Sequence, residues 1–158
     1  MCIRDREKLA QIRKDLDTTN TADWMYFRLV KLKAQDKAYI PHSDLTNLNQ
    51  MIAYYEGEGD KKMLPEIYYL AGSTYFDLHD SPQALDYYHK VLDNITADEH
   101  LRLWGITHAQ IGYVMLYQGN YMSAVQHFKE SYFVDSLRND VEAVSYTHLR
   151  AHETVLDL

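Results

Sequence analysis

Tyr68-x-x-Ala71-Gly72-x-x-Tyr75, followed by Ala84-x-x-x-Tyr88, is repeated forty residues later as His108-x-x-Ile111-Gly112-x-x-Met115, followed by Ala124-x-x-x-Phe128. In both stretches a small residue stands where two helices have to approach closely. A second small residue follows twelve positions on, and an aromatic four positions after that shares its helical face. Self-similarity at a fixed spacing marks stacked helical hairpins, so the chain is expected to be an all-α, right-handed solenoid of about seven or eight helices. Arrays of that kind present binding surfaces more often than catalytic sites.

The bulk properties agree with one helical domain. At 158 residues the chain is long enough to bury a core. A formal charge of −7 argues against a nucleic-acid or anionic-membrane surface, which would need clustered Lys and Arg. Cys2 is the only cysteine, which leaves no intrachain disulfide and no thiolate metal cluster. There is no run of about 18 apolar residues that would insert into a membrane. Fourteen tyrosines against three prolines suit long helices whose packing faces carry large amphipathic rings.

Working outward from the two repeats, helix punctuation divides the rest. Leu9, Ile12 and Leu16 lie at helical spacing in Glu7–Leu16. Asn20 or Thr21 can cap the next helix, which carries Trp24, Phe27 and Leu32 to about Gln35, with Pro41 in the link that follows. Ser43 is the expected cap of a helix with Leu45, Leu48, Met51, Ile52 and Tyr55 on one face, and Gly57 and Gly59 are expected to stop it. Pro65 fits only an opening turn. That helix should reach Leu78, and Ser81-Pro82 should open its partner, which runs to about Ile95. Thr96 to Glu99 reads as a capping box before a helix ending at Gly119, and Asn120 as the cap of a last partner to about Asp135. A further helix is expected from Leu137.

These residues resemble tetratricopeptide repeats. Tyr68, Ala71, Gly72, Tyr75, Ala84 and Tyr88 match that pattern, as do Ile111, Gly112, Ala124 and Phe128; His108 and Met115 are looser, and Val91 and Ser131 replace its last small residue. The usual closing proline is absent at Thr96 and Ser136. The family unit is about 34 residues, and the longer leading helix of the second repeat accounts for forty. Leu48 and Ile52 precede Ala84 and Tyr88 by thirty-six residues, so 21–57 resembles a divergent repeat ahead of 60–95 and 97–135. More narrowly, Asp36-Lys-Ala-Tyr-Ile-Pro41 and Tyr54-Tyr-Glu-x-x-Gly-Asp-Lys-Lys62 resemble the repeat-bearing part of bacterial envelope-associated regulators. Some of those end in a coiled coil, a membrane helix and a DNA-binding output domain.

The ends carry a different resemblance. Met1 to Arg6 and Val144 to Leu158 are similar to in-frame translations of sequencing-adaptor DNA found at the ends of unrelated metagenomic sequences. The expectation is a native portion from Glu7 to about Ala143, residues 7–143, with 1–6 and 144–158 non-native. The competing reading is a native terminal helix with His148, Leu149, His152 and Leu156 along one face.

The tetratricopeptide resemblance implies a groove lined by leading helices: Glu66, Tyr69, Ser73, Phe76 and Asp77 in one repeat, and Ile106, Ala109, Tyr113, Leu116 and Tyr117 in the next. Such a face suits the apolar side chains of a peptide, with a Lys or Arg at its acidic edge. The competing reading is that several of these rings only pack against neighbouring hairpins. Tyr69 and Ser73 stand where the chaperone-tail type of groove places Lys and Asn, which argues against that specificity. Of eight histidines, His148-x-x-x-His152 has ligand spacing but lies in the suspect tail, while His79, His89, His100 and His127 are scattered. No metal and no cofactor is therefore expected. Glu56, Glu58 and Asp60 lack the spacing of a calcium loop. No nucleophile elbow or phosphate-binding loop is present, so a non-catalytic peptide- or protein-binding scaffold is expected. The alternative is a sensory or dimerisation segment of a longer bacterial regulator truncated at both ends.

Overall fold

The computed structural model describes residues 3–17, 19–41, 43–96 and 99–138. Among these residues every regular element is a helix: α1 Ile3–Asp15, α2 Thr21–Lys37, α3 Leu45–Gly57, a 3-10 turn Lys61–Met63, α4 Leu64–Asp77, α5 Ser81–Asp93, α6 Leu101–Tyr117 and α7 Tyr121–Arg138. They group into two compact units that divide within α5, between Lys90 and Val91. The suspect C-terminal tail lies outside the described residues. At the other end α1 begins at Ile3 rather than Glu7.

The ends of the helices repeat as closely as their faces. Tyr39, His79 and Gly119 all lie in the left-handed region, at φ 54°, 60° and 74°, and they are forty residues apart. Each follows the end of a leading helix, and each backbone N–H donates to a carbonyl three residues back, Asp36, Phe76 or Leu116, at 2.9–3.0 Å. The next N–H reaches five residues back, to Gln35, Tyr75 or Met115, at 2.9–3.1 Å. Only at 119 is the residue a glycine, for which this conformation is free of steric cost. The cap of the following helix comes immediately after in two cases. Asp80 Oδ1 accepts from Gln83 N at 3.2 Å, and Asn120 Oδ1 from Ser123 N at 3.3 Å. In the α2–α3 hairpin the cap is Asp44, so the connection is four residues longer. That accounts for the thirty-six-residue spacing between α3 and α5.

Several expected boundaries are displaced. Asn20 caps α2 as expected, its side-chain oxygen accepting from Ala22 N and Asp23 N. Asp44 rather than Ser43 caps α3, accepting from Asn47 N at 3.0 Å, and Asp80 rather than Ser81 caps α5. In both, a carboxylate is better placed than the hydroxyl beside it to face the positive end of the helix. Gly57 and Gly59 do not form a left-handed stop; the C-cap of α3 is Glu58 at φ −101°. Instead the Lys61 ammonium donates to the carbonyls of Tyr55, Glu56 and Gly57, satisfying the last turn with a cation where the helix dipole is negative. Thr96 does not open α6. The helix starts at Leu101 after His100, which makes no side-chain cap bond, although Thr96 Oγ1 still reaches Glu99 at 3.4 Å. No break follows Asp135, because α7 runs on to Arg138.

In the first unit α4 packs on both α2 and α3. Leu48, Met51, Ile52 and Tyr55 of α3 are buried, with Phe27 and Leu29 from α2 and Ile67, Leu70 and Ala71 from α4. The repeated small residues do what their spacing requires. A Cβ on Gly72 would lie 2.4 Å from Tyr88 Cε1, and one on Gly112 would lie 2.7 Å from Phe128 Cε1. Ala84 and Ala124 are both sealed from solvent. One Gly–aromatic contact thus closes α4 on α5 and another closes α6 on α7.

Candidate functional site

The five groove positions on α4 form a graded strip. Tyr69, Ser73 and Phe76 are half-buried, and Asp77 at the end of the helix is exposed. Glu66, at the beginning, is ion-paired with Lys33 of α2. The two side chains are 46% and 41% exposed, so this pair is worth about 0–1 kcal/mol and serves more to link the two leading helices than to stabilise them. The Tyr69 ring is tilted 49° to Tyr88 at a centroid distance of 6.0 Å, so one face is spent on the hairpin and the remainder on the surface. Tyr88 is fully enclosed, and burial pushes its phenol well above the ordinary value of 10. Tyr69, Asp36 and Asp77 add to that rise and the nearby Ser73 hydroxyl works against it, but the buried Tyr88 hydroxyl has no hydrogen-bond partner among the described residues.

On α6 the corresponding positions are more enclosed. Tyr113 is buried and meets Phe128 edge-on at 5.1 Å. Ile106, Ala109 and Leu116 are half-buried, and Tyr117 is 63% exposed. The Tyr113 ring is covered by Phe128 of the second helix of its own hairpin, and Tyr117 offers the larger aromatic surface. His108, a loose match to the repeat pattern, and His127, one of the scattered histidines, stand with their Nδ1 atoms 2.9 Å apart. One ring must carry the proton that the other accepts. Trp104 lies against His108 at a centroid distance of 4.0 Å. Nineteen residues separate the two histidines, which is no local ligand spacing, so only the α6–α7 pairing reveals them. Lys33 had a legible signal: it precedes Tyr69 by thirty-six residues and so occupies a groove offset in the divergent repeat.

On another face of the α4–α5 hairpin the tyrosines gather. Tyr75 stacks on Tyr87 at 5.5 Å, Tyr68 lies 6.2 Å from Tyr87, and the Lys90 ammonium sits 4.7 Å and 5.5 Å from the Tyr87 and Tyr68 rings. The Tyr68 hydroxyl donates to Glu56 Oε1 at 2.8 Å. Burial first, and then the bond to the Glu56 carboxylate, push Tyr68 up to about 12 from 10. The folded chain keeps this proton where the unfolded chain loses it. Its contribution to stability is therefore complete below pH 10 and is lost as pH rises through about 12. In a spectrophotometric titration of tyrosinate, Glu56→Gln should move a late-ionising tyrosine to lower pH; an unchanged curve would contradict the Tyr68–Glu56 bond.

Glu56 and Asp60 of the acidic run are occupied structurally, Asp60 accepting from Lys62 N at 3.0 Å. Among the described residues no group of three or more His, Cys, Asp or Glu could hold a metal ion. His148 and His152 lie outside the described residues. Among the described residues no helix is long and apolar enough to cross a membrane. No family model, no curated protein and no solved structure matches this chain.

Proposed function

We propose that this chain is a non-catalytic scaffold of tetratricopeptide-like repeats, stacked as a right-handed α-solenoid, that holds a peptide or partner protein on the face of its leading helices. The observation that carries this reading is the left-handed turn recurring at Tyr39, His79 and Gly119. Three hairpins closed by one backbone device are three copies of one unit, and such a unit buries its apolar face only by stacking. The peptide face is best developed on α4, where Tyr69 and Phe76 are half-buried beside exposed Asp77. It suits an extended segment with apolar side chains and a Lys or Arg opposite Asp77.

The test is a fluorescence-anisotropy screen of peptide pools that vary apolar and basic positions. Phe76→Ser and Asp77→Lys should each weaken selected peptides by about tenfold, and Asp77→Lys should favour acidic peptides instead. A screen whose binders ignore both substitutions would overturn the reading. The second reading, a dimerisation segment of a longer regulator, is favoured by α7. Met122, Val125, Tyr132 and Phe133 fall within one arc of that helix and are 77%, 48%, 57% and 59% exposed. A concentration-dependent dimer that Phe133→Glu dissociates would support it.

A further inference from the structure

A cavity of about 890 Å³ lies between α1 and the α2–α3 hairpin, with Thr74 of α4 also in its lining. Its floor is apolar, made by Phe27, Leu48 and Met51, all buried, with half-buried Trp24 and Leu32 beside them. Its rim is cationic. Arg13 and Lys14 from α1 stand with Arg28 and Lys31 from α2 around the same space. In a chain of net charge −7 this convergence runs against the overall balance. Among the described residues, Arg13, Lys14 and Lys31 have no ion-paired carboxylate. The one acid in the lining, Asp44, spends both oxygens on the backbone and side-chain amides of Asn47 at the start of α3. Arg28 is held in position: its guanidinium donates to Gln50 Oε1 at 3.0 Å and lies 5.9 Å from the centre of the Trp24 ring.

From this we infer that the cleft binds a small amphipathic anion, an apolar body ending in a carboxylate. The volume falls in the range of small-molecule sites, about 300–1,000 Å³. The apolar floor would take the body, and the preorganised Arg28 with Lys31 and the α1 cations would take the charged end as charge-assisted hydrogen bonds. None of the five α4 strip positions lines this cleft, and neither reading depends on the other.

The chain has two tryptophans, so Trp104→Phe leaves Trp24, in the cleft lining, as the sole reporter. Full-length protein carrying that change is titrated with monomeric laurate and, as a neutral match, with dodecanol. A saturating change in Trp24 emission is expected with laurate, at least about tenfold tighter than with dodecanol, and weakening as salt rises. Lys31→Gln and Lys14→Gln, both at exposed positions, should each weaken laurate by a further severalfold while far-ultraviolet circular dichroism stays unchanged. Equal binding of laurate and dodecanol, or no response at Trp24, would overturn the inference. So would binding seen only with anionic lipid vesicles and not with the monomer, which would make the rim a membrane contact.

Discussion

A Tyr88→Ala chain is expected to be about 3–5 kcal/mol less stable than the parent, the cost of deleting a fully enclosed aromatic from a core that cannot collapse around the gap. Tyr88 is 0% exposed. Its ring rests on the bare backbone of Gly72 and meets Tyr69 at 6.0 Å, so the loss would be felt on both helices of the hairpin. Urea unfolding followed by circular dichroism measures it. Tyr88→Phe separates ring from hydroxyl. It removes only a polar atom in a dry site and should cost no more than about 1.5 kcal/mol. If alanine and phenylalanine at this position were equally mild, α5 would not be seated on α4 as described.

Alanine in place of Gly72 should destabilise, although alanine at a helical glycine ordinarily gains about 1 kcal/mol. The new methyl would stand 2.4 Å from Tyr88 Cε1, and a ring enclosed on all sides has nowhere to retreat. Overpacking of this kind costs about 1–3 kcal/mol. Gly112→Ala should cost less, because Phe128 approaches to 2.7 Å but is only half-buried and has room to shift. Gly57→Ala provides the opposite sign. A Cβ there meets nothing within 4 Å, in the last residue of α3, so a gain of about 0.5–1 kcal/mol is expected. Combining Gly72→Ala with Tyr88→Ala should remove the penalty, giving a strong favourable coupling in a double-mutant cycle. A raised melting temperature for Gly72→Ala alone would rule out the close approach.

The helices themselves were legible because their signals are local. The face Leu48, Met51, Ile52 and Tyr55 is spaced for one side of a helix, and all four are buried. Asn20 and Asn120 cap where their side chains can reach backbone N–H groups within the next turn. The errors have a common origin, which is competition among neighbours for one helix end. Asp44 and Asp80 each displaced an adjacent serine, and Lys61, four to six residues beyond the carbonyls it satisfies, replaced the glycine stop of α3. His79 shows the converse. Its side chain gives no hint of a left-handed backbone, and only its position forty residues before Gly119 does.

What the sequence determined by itself was the helical hairpin: a leading helix, a turn and a second helix, with a bare glycine set opposite an aromatic in α4–α5 and α6–α7. Periodicity and caps are carried by residues within a few positions of one another, so they survive without knowledge of the fold. Tertiary structure alone decided which of the marked side chains remain available. Tyr113 and Tyr117 were equivalent as groove candidates, yet the Phe128 ring closes over the first and leaves the second in solvent. The same is true of the His108–His127 pair and of the four cations around the α1 cleft. Each is assembled from separate helices, and the distance between side chains on different helices is set by packing rather than by their spacing along the chain.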